Sequence, residues 1–150
     1  MHSQSHHRRQ LPQAALRSVP EGAEDVVSYA KNYLAVYFKL DYVNADGNSW
    51  NYYPDFIVKL TDGRIVIVET KGLEDLDLPL KMGRLKQCCE DVNRAQDDTT
   101  YVFVYVDDNG FQKYKPTSFA NLLLQFKEYQ IEAAYFSLSK ACALYEVFVV

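Results

Sequence analysis

Nowhere in its 150 residues does this sequence hold a run of about 18 apolar residues, so no segment reads as a membrane-crossing helix. The amino-terminal MHSQSHHRRQ lacks the apolar core that a secretory signal requires. Cysteine is scarce. Cys88 and Cys89 are adjacent and Cys142 is remote, a spacing that suits no metal site. An odd number of cysteines without a secretory segment points to reduced thiols and a cytoplasmic protein. No GxxxxGK[ST] phosphate-binding loop occurs, so no nucleotide-driven motor is expected. A basic excess is missing too. Sixteen Lys and Arg face twenty Asp and Glu, and a net charge of −4 argues mildly against tight phosphate binding by this domain alone.

What is present is the material of one folded domain. Apolar residues make up 48% of the chain, with 12 tyrosines and 8 phenylalanines, which excludes a disordered chain. A chain of this length buries roughly two thirds of its unfolded surface. Residues 1–20 read as a flexible basic tail, its His2, His6 and His7 included. Residues 21–127 read as the domain. Residues 128–150 form an apolar carboxyl-terminal extension whose pattern fits either a last helix and strand or a sticky tail.

Within the domain the periodicity predicts a helix from Glu21 to about Asn32, then a first sheet strand over residues 34–43 ending at Asn44-Ala45-Asp46-Gly47-Asn48. An amphipathic helix is expected over residues 80–96, with Met82, Leu85, Cys89 and Val92 on one face. Tyr101 to Val106 reads as a buried strand and Phe111 to Tyr114 as a short one. A helix follows from a Ser118 cap through Phe126. The acids Glu74, Asp75 and Asp77 read as a solvated loop, and Asp107 and Asp108 as turn residues.

The chain is organised around Tyr52 to Gly72. Two short apolar runs, 55–60 and 65–68, flank Thr61-Asp62-Gly63-Arg64, the mark of an antiparallel hairpin. Asp55 stands at the mouth of the first strand, and Glu69 and Lys71 at the mouth of the second. A two-residue loop pairs Asp55 with Thr70 and sends the carboxylates to opposite faces. A three-residue loop with a left-handed Gly63 pairs Leu60 with Arg64, and so Asp55 with Glu69. In that register the two Cβ atoms stand roughly 4.5–5.5 Å apart. Opposed carboxylates repel unless a cation lies between them, so this arrangement calls for a metal.

Tyr53-Pro54-Asp55-Phe56-Ile57-Val58 followed by Val68-Glu69-Thr70-Lys71-Gly72 resembles the PD-(D/E)xK nuclease superfamily, in particular the nuclease domain of type III restriction enzymes. The resemblance runs from about Lys31, whose Lys31-Asn32 pair it includes, to about Leu124. It implies an α/β restriction-endonuclease-like core of order αβββαβ, a mixed central sheet flanked by helices. It also implies a Mg2+-dependent deoxyribonuclease, with Mn2+ able to substitute. Asp55 and Glu69 would be metal ligands together with the Thr70 backbone carbonyl, and Lys71 would complete the catalytic set. A first-helix glutamate, Glu21 or Glu24, would be a further ligand or only a helix-start charge. Lys81, Arg84 and Gln87 would meet double-stranded DNA, or simply form a charged outer face. The implied partners are a helicase/ATPase portion and a methyltransferase-specificity subunit of a restriction complex. Two other readings are a catalytically silent or DNA-docking fragment lacking its motor, and a standalone nuclease of the resolvase or transposition type.

Overall fold

A computed structural model describes residue 19 and residues 21–32, 37–70 and 75–130. Most of the expected basic tail, and all but the first three residues of the expected extension, lie outside the described residues. Among the described residues, six strands and three complete helices make a mixed α/β fold. In chain order they are β1 (Val26–Lys31), β2 (Leu40–Val43), β3 (Ser49–Tyr52), β4 (Phe56–Leu60), β5 (Ile65–Thr70), α1 (Leu78–Ala95), β6 (Tyr101–Val106), α2 (Asp108–Tyr114) and α3 (Phe119–Gln125).

The main sheet has the order β1-β4-β5-β6. Its first two pairings are antiparallel and the β5–β6 pairing is parallel, bridged by α1. A parallel neighbour requires such a crossover, because two strands running the same way cannot be joined by a tight turn. Alternation along the strands splits the core in two. Ile57, Ile65 and Ile67 point to α1, where they meet Met82, Leu85, Cys89 and Val92. Val58, Leu60, Val66 and Val68 point the other way, to Phe111, Phe119, Leu122 and Phe126 around α2 and α3. The inner strands β4 and β5 are therefore almost wholly apolar, as strands covered on both faces must be.

The hairpin register is the one a three-residue loop demands. Ile57 faces Ile67 and Phe56 faces Val68. The Leu60 amide donates to the Arg64 carbonyl at 2.9 Å and the Gly63 amide to the Leu60 carbonyl at 3.1 Å. Gly63 has a φ of +89°, where a Cβ would strain the backbone.

Four sequence expectations are corrected. The stretch expected as the first helix contains strand β1, which pairs with β4; three of its six residues, Val26, Val27 and Tyr29, are β-branched or aromatic, and the sheet edge overrides the helical spacing. The strand expected over 34–43 is only Leu40–Val43, and it pairs with β3 in a separate two-stranded sheet rather than with the main hairpin. The strand expected over Phe111–Tyr114 is the end of helix α2. There the Asp107 side chain caps the helix by accepting from the Gly110 amide at 2.8 Å. Finally, Cys88 is disulfide-bonded, whereas the odd cysteine count led to an expectation of reduced thiols; Cys89 is a free, buried thiol. The helices at 78–95 and 119–125 and the strand at 101–106 lie where the sequence places them. Ser118 caps α3 by accepting from the Asn121 amide at 3.1 Å.

Candidate active site

The β4–β5 ladder ends at the Phe56–Val68 pair, and the Asp55 amide just beyond it donates to the Val68 carbonyl at 3.1 Å. Both carboxylates thus stand at the same end of the central hairpin. Asp55 is further fixed from β5. The Thr70 amide donates to Asp55 Oδ2 at 2.9 Å, and the Thr70 hydroxyl makes a short bond to the same oxygen. Asp55 is also fixed from β1, where the Asn32 amide donates to the Asp55 carbonyl at 2.9 Å. The fully buried Asn32 side chain in turn accepts from the Phe38 amide and donates to the Phe38 carbonyl. That two-pronged bond ties the backbone at Asn32 to that at Phe38. Lys31 pairs with Phe56, so the Lys31-Asn32 pair singled out by resemblance lies directly beside Asp55.

Glu69 lies half-buried on the α1 side of β5, and its Oε2 accepts from the Tyr52 hydroxyl at 2.9 Å. Burial chiefly, and then the charge of Asp55, raise its carboxyl from the ordinary 4.5 to about 8. The Tyr52 bond and the nearby Lys81 ammonium pull the other way without cancelling this. Tyr52 is itself pushed well upward by burial and by Glu69, so it remains a proton donor.

One cation beside these carboxylates is Lys81, in the first turn of α1. Its ammonium donates to Asp75 Oδ2 at 2.6 Å and lies 5.5 Å and 5.8 Å from the ring centres of Tyr42 and Tyr52. The Lys81 ammonium is raised overall: its hydrogen bond and attraction to Asp75 outweigh the opposing effect of burial, which is the largest single influence. The hydroxyl of Tyr42 donates to Asp77, the residue just before α1, so hairpin β2–β3 and helix α1 are tied together over the site.

Of the residues expected here, Asp55, Glu69 and Thr70 are brought together, while Lys71 lies outside the described residues. Lys81 faces the carboxylates more than an outer surface. Arg84 turns to hairpin β2–β3, donating to the Asp41 carbonyl at 3.1 Å, and Gln87 bonds Asp91 one turn along α1. Glu21 and Glu24 are exposed; Glu21 is helical, Glu24 lies in the turn before β1, and strand replaces the expected helix from Val26 onward. Glu21 accepts from the Tyr29 hydroxyl. Sequence reasoning missed Tyr52, and it took Asp75 as idle. The signal for Asp75 was an acid placed just ahead of a helix whose first turn carries a lysine.

Among the described residues, no three His, Cys, Asp or Glu side chains gather as a metal-binding set. Two carboxylates are available, and magnesium commonly takes one or two, completing its shell with backbone oxygen and water. Glu69, desolvated and beside the charge of Asp55, is the kind of hard-oxygen ligand that a divalent cation relieves. A cavity of about 570 Å3 lies elsewhere, lined by Cys89, Tyr101, Phe103 and Leu123 among others, and includes none of these groups. No known protein family, curated protein or solved structure matches this chain. Among the described residues, no helix is long and apolar enough to cross a membrane.

Proposed function

We propose that this chain is a metal-dependent endonuclease domain of the PD-(D/E)xK kind, hydrolysing DNA phosphodiester bonds on a restriction-endonuclease-like core. The type III restriction subunit is the context its residues resemble most. The observation that carries the reading is the gathering of Asp55, Glu69 and Thr70 at one end of the hairpin, where the Asp55 charge helps raise the Glu69 carboxyl.

Asp55, Glu69 and the Thr70 carbonyl would hold Mg2+ or Mn2+. When bound, the metal supplies Lewis-acid polarisation of the phosphate and a more acidic water. The protein's own part is positioning. Thr70 aims Asp55 through two bonds to one oxygen, and Tyr52 aims Glu69. By its place in the sequence motif, Lys71 would supply positive charge to the attacked phosphate. Two carboxylates and a phosphate would keep it protonated, so its role is electrostatic rather than that of a base. A net charge of −4 leaves affinity for double-stranded DNA to the motor and methyltransferase-specificity partners.

The test is nicking of supercoiled plasmid with magnesium or manganese by wild type, Lys71→Ala and Asp55→Asn. Metal-dependent nicking by wild type, lost in both variants, is expected. Folded wild-type protein that nicks with neither metal counts against the reading.

A further inference from the structure

We propose that hairpin β2–β3 is a base-stacking arm, with Trp50 holding unpaired nucleotides of the DNA next to the carboxylates. This rests on the nuclease reading and narrows its substrate to DNA with an unpaired stretch at the cut.

The register of the arm carries the inference. Tyr42 stands opposite Trp50, and Leu40 opposite Tyr52, so all four side chains share one face of the ribbon. Three of them are buried against the main core. Trp50 is 58% exposed although it lies on the same apolar-facing side. Its two-residue neighbour Tyr52 bonds Glu69, which puts the exposed indole roughly 7 Å along the strand from the residue that aims the site. That is the length of about two stacked bases at 3.4 Å each. The Lys81 ammonium lies beside the rings of Tyr42 and Tyr52 and faces Asp75 and Glu69, so a backbone phosphate entering along this face meets a cation before the carboxylates.

Charge decides between modes of binding. Asp41, Asp46, Asp75 and Asp77 lie on or near the arm, with Lys39 and Arg84 as its other cations. A surface so mixed in sign cannot grip a duplex by its phosphates. Single-strand binders stack bases on aromatic rings and meet the backbone with nearby cations; here Trp50 offers the ring and Lys39 and Lys81 the cations, and removing such a ring weakens binding several-fold to over a hundredfold.

Trp50 is the only tryptophan, so its emission reports on this position alone. The full chain in EDTA, where no cleavage occurs, is titrated with oligo(dT) and with a duplex of equal length. Binding of labelled DNA is followed in parallel by anisotropy. Expected are quenching by oligo(dT), weaker binding of duplex, a loss of about tenfold or more in Trp50→Ala, and retention of most affinity in Trp50→Phe. Oligo(dT) binding with unchanged emission, or equal binding by Trp50→Ala, overturns the proposal. So does a failure to bind oligo(dT), or an emission change that only a protein partner elicits. Plasmid nicking by the same preparations separates such a failure from failure of the nuclease reading.

Discussion

Replacing Glu69 by glutamine should make the metal-free protein more stable, and more so as pH rises. The folded-state carboxyl titrates near 8 and the ordinary one near 4.5. Below pH 4.5 both states are protonated and the group costs nothing. Between 4.5 and 8 the unfolded chain has released a proton that the folded chain retains, so native stability falls with rising pH across that window. At 1.36 kcal/mol per unit the full difference is about 5 kcal/mol. The side chain is only half-buried, so solvent screening reduces this to roughly 2–3 kcal/mol. Glutamine keeps the shape and the Tyr52 bond but carries no charge. Urea unfolding in EDTA at pH 5, 6.5 and 8 is the assay. The stability curves of wild type and Glu69→Gln should diverge with pH, and magnesium should close the gap by stabilising wild type alone. Parallel curves would refute the coupling from which the site is argued.

Thr70→Val removes the hydroxyl that holds Asp55 and should weaken metal affinity about 10–100-fold, measured by manganese titration, while the fold persists. Gly63→Ala should cost about 1 kcal/mol, because no neighbour lies within 4 Å of the added Cβ and only the left-handed backbone objects. Gly63→Asn should cost less, since asparagine tolerates that conformation; equal costs in thermal melts would contradict this. Asn32→Ala strands both the amide and the carbonyl of buried Phe38 and should destabilise by about 2–3 kcal/mol in chemical unfolding.

The centre of the sheet was legible because its information is local. A glycine after Thr61-Asp62 fixes the loop, the loop fixes the register, and the register carries Asp55 and Glu69 to the same end of the hairpin. The periphery was not. Val26, Val27, Ala30 and Tyr33 fall at helical spacing, yet Val26–Lys31 is an edge strand because β4 offers an unpaired partner, which no window of a dozen residues contains. Leu40–Val43 has strand character that the sequence shows, but its partner is β3 rather than the main hairpin. The same limit applies within the site. Lys81 reads as one charge on an amphipathic helix, and only the docking of α1 beside Tyr42, Tyr52 and Asp75 turns it inward.

That inward lysine bears on a blander reading of the same residues, in which Asp55, Glu69 and Lys71 form a cross-strand ion cluster with no catalytic role. Such a cluster would place its cation between the two opposed carboxylates and leave both with lowered pKa values. Here the hydrogen-bonded partner of Lys81 is Asp75, and its pull on Glu69 is outweighed by burial and by Asp55. Glu69 therefore keeps a raised pKa with a lysine at hand. A structural ion pair has no reason to spend its cation on a third acid while Glu69 remains desolvated and repelled by Asp55. A site that must admit a doubly charged ion does, because a lysine already lodged between Asp55 and Glu69 would compete with it. If so, Asp75→Asn should release Lys81 toward Glu69. Manganese affinity should then fall several-fold while stability at pH 8 in EDTA rises. Unchanged affinity and stability would favour the inert cluster.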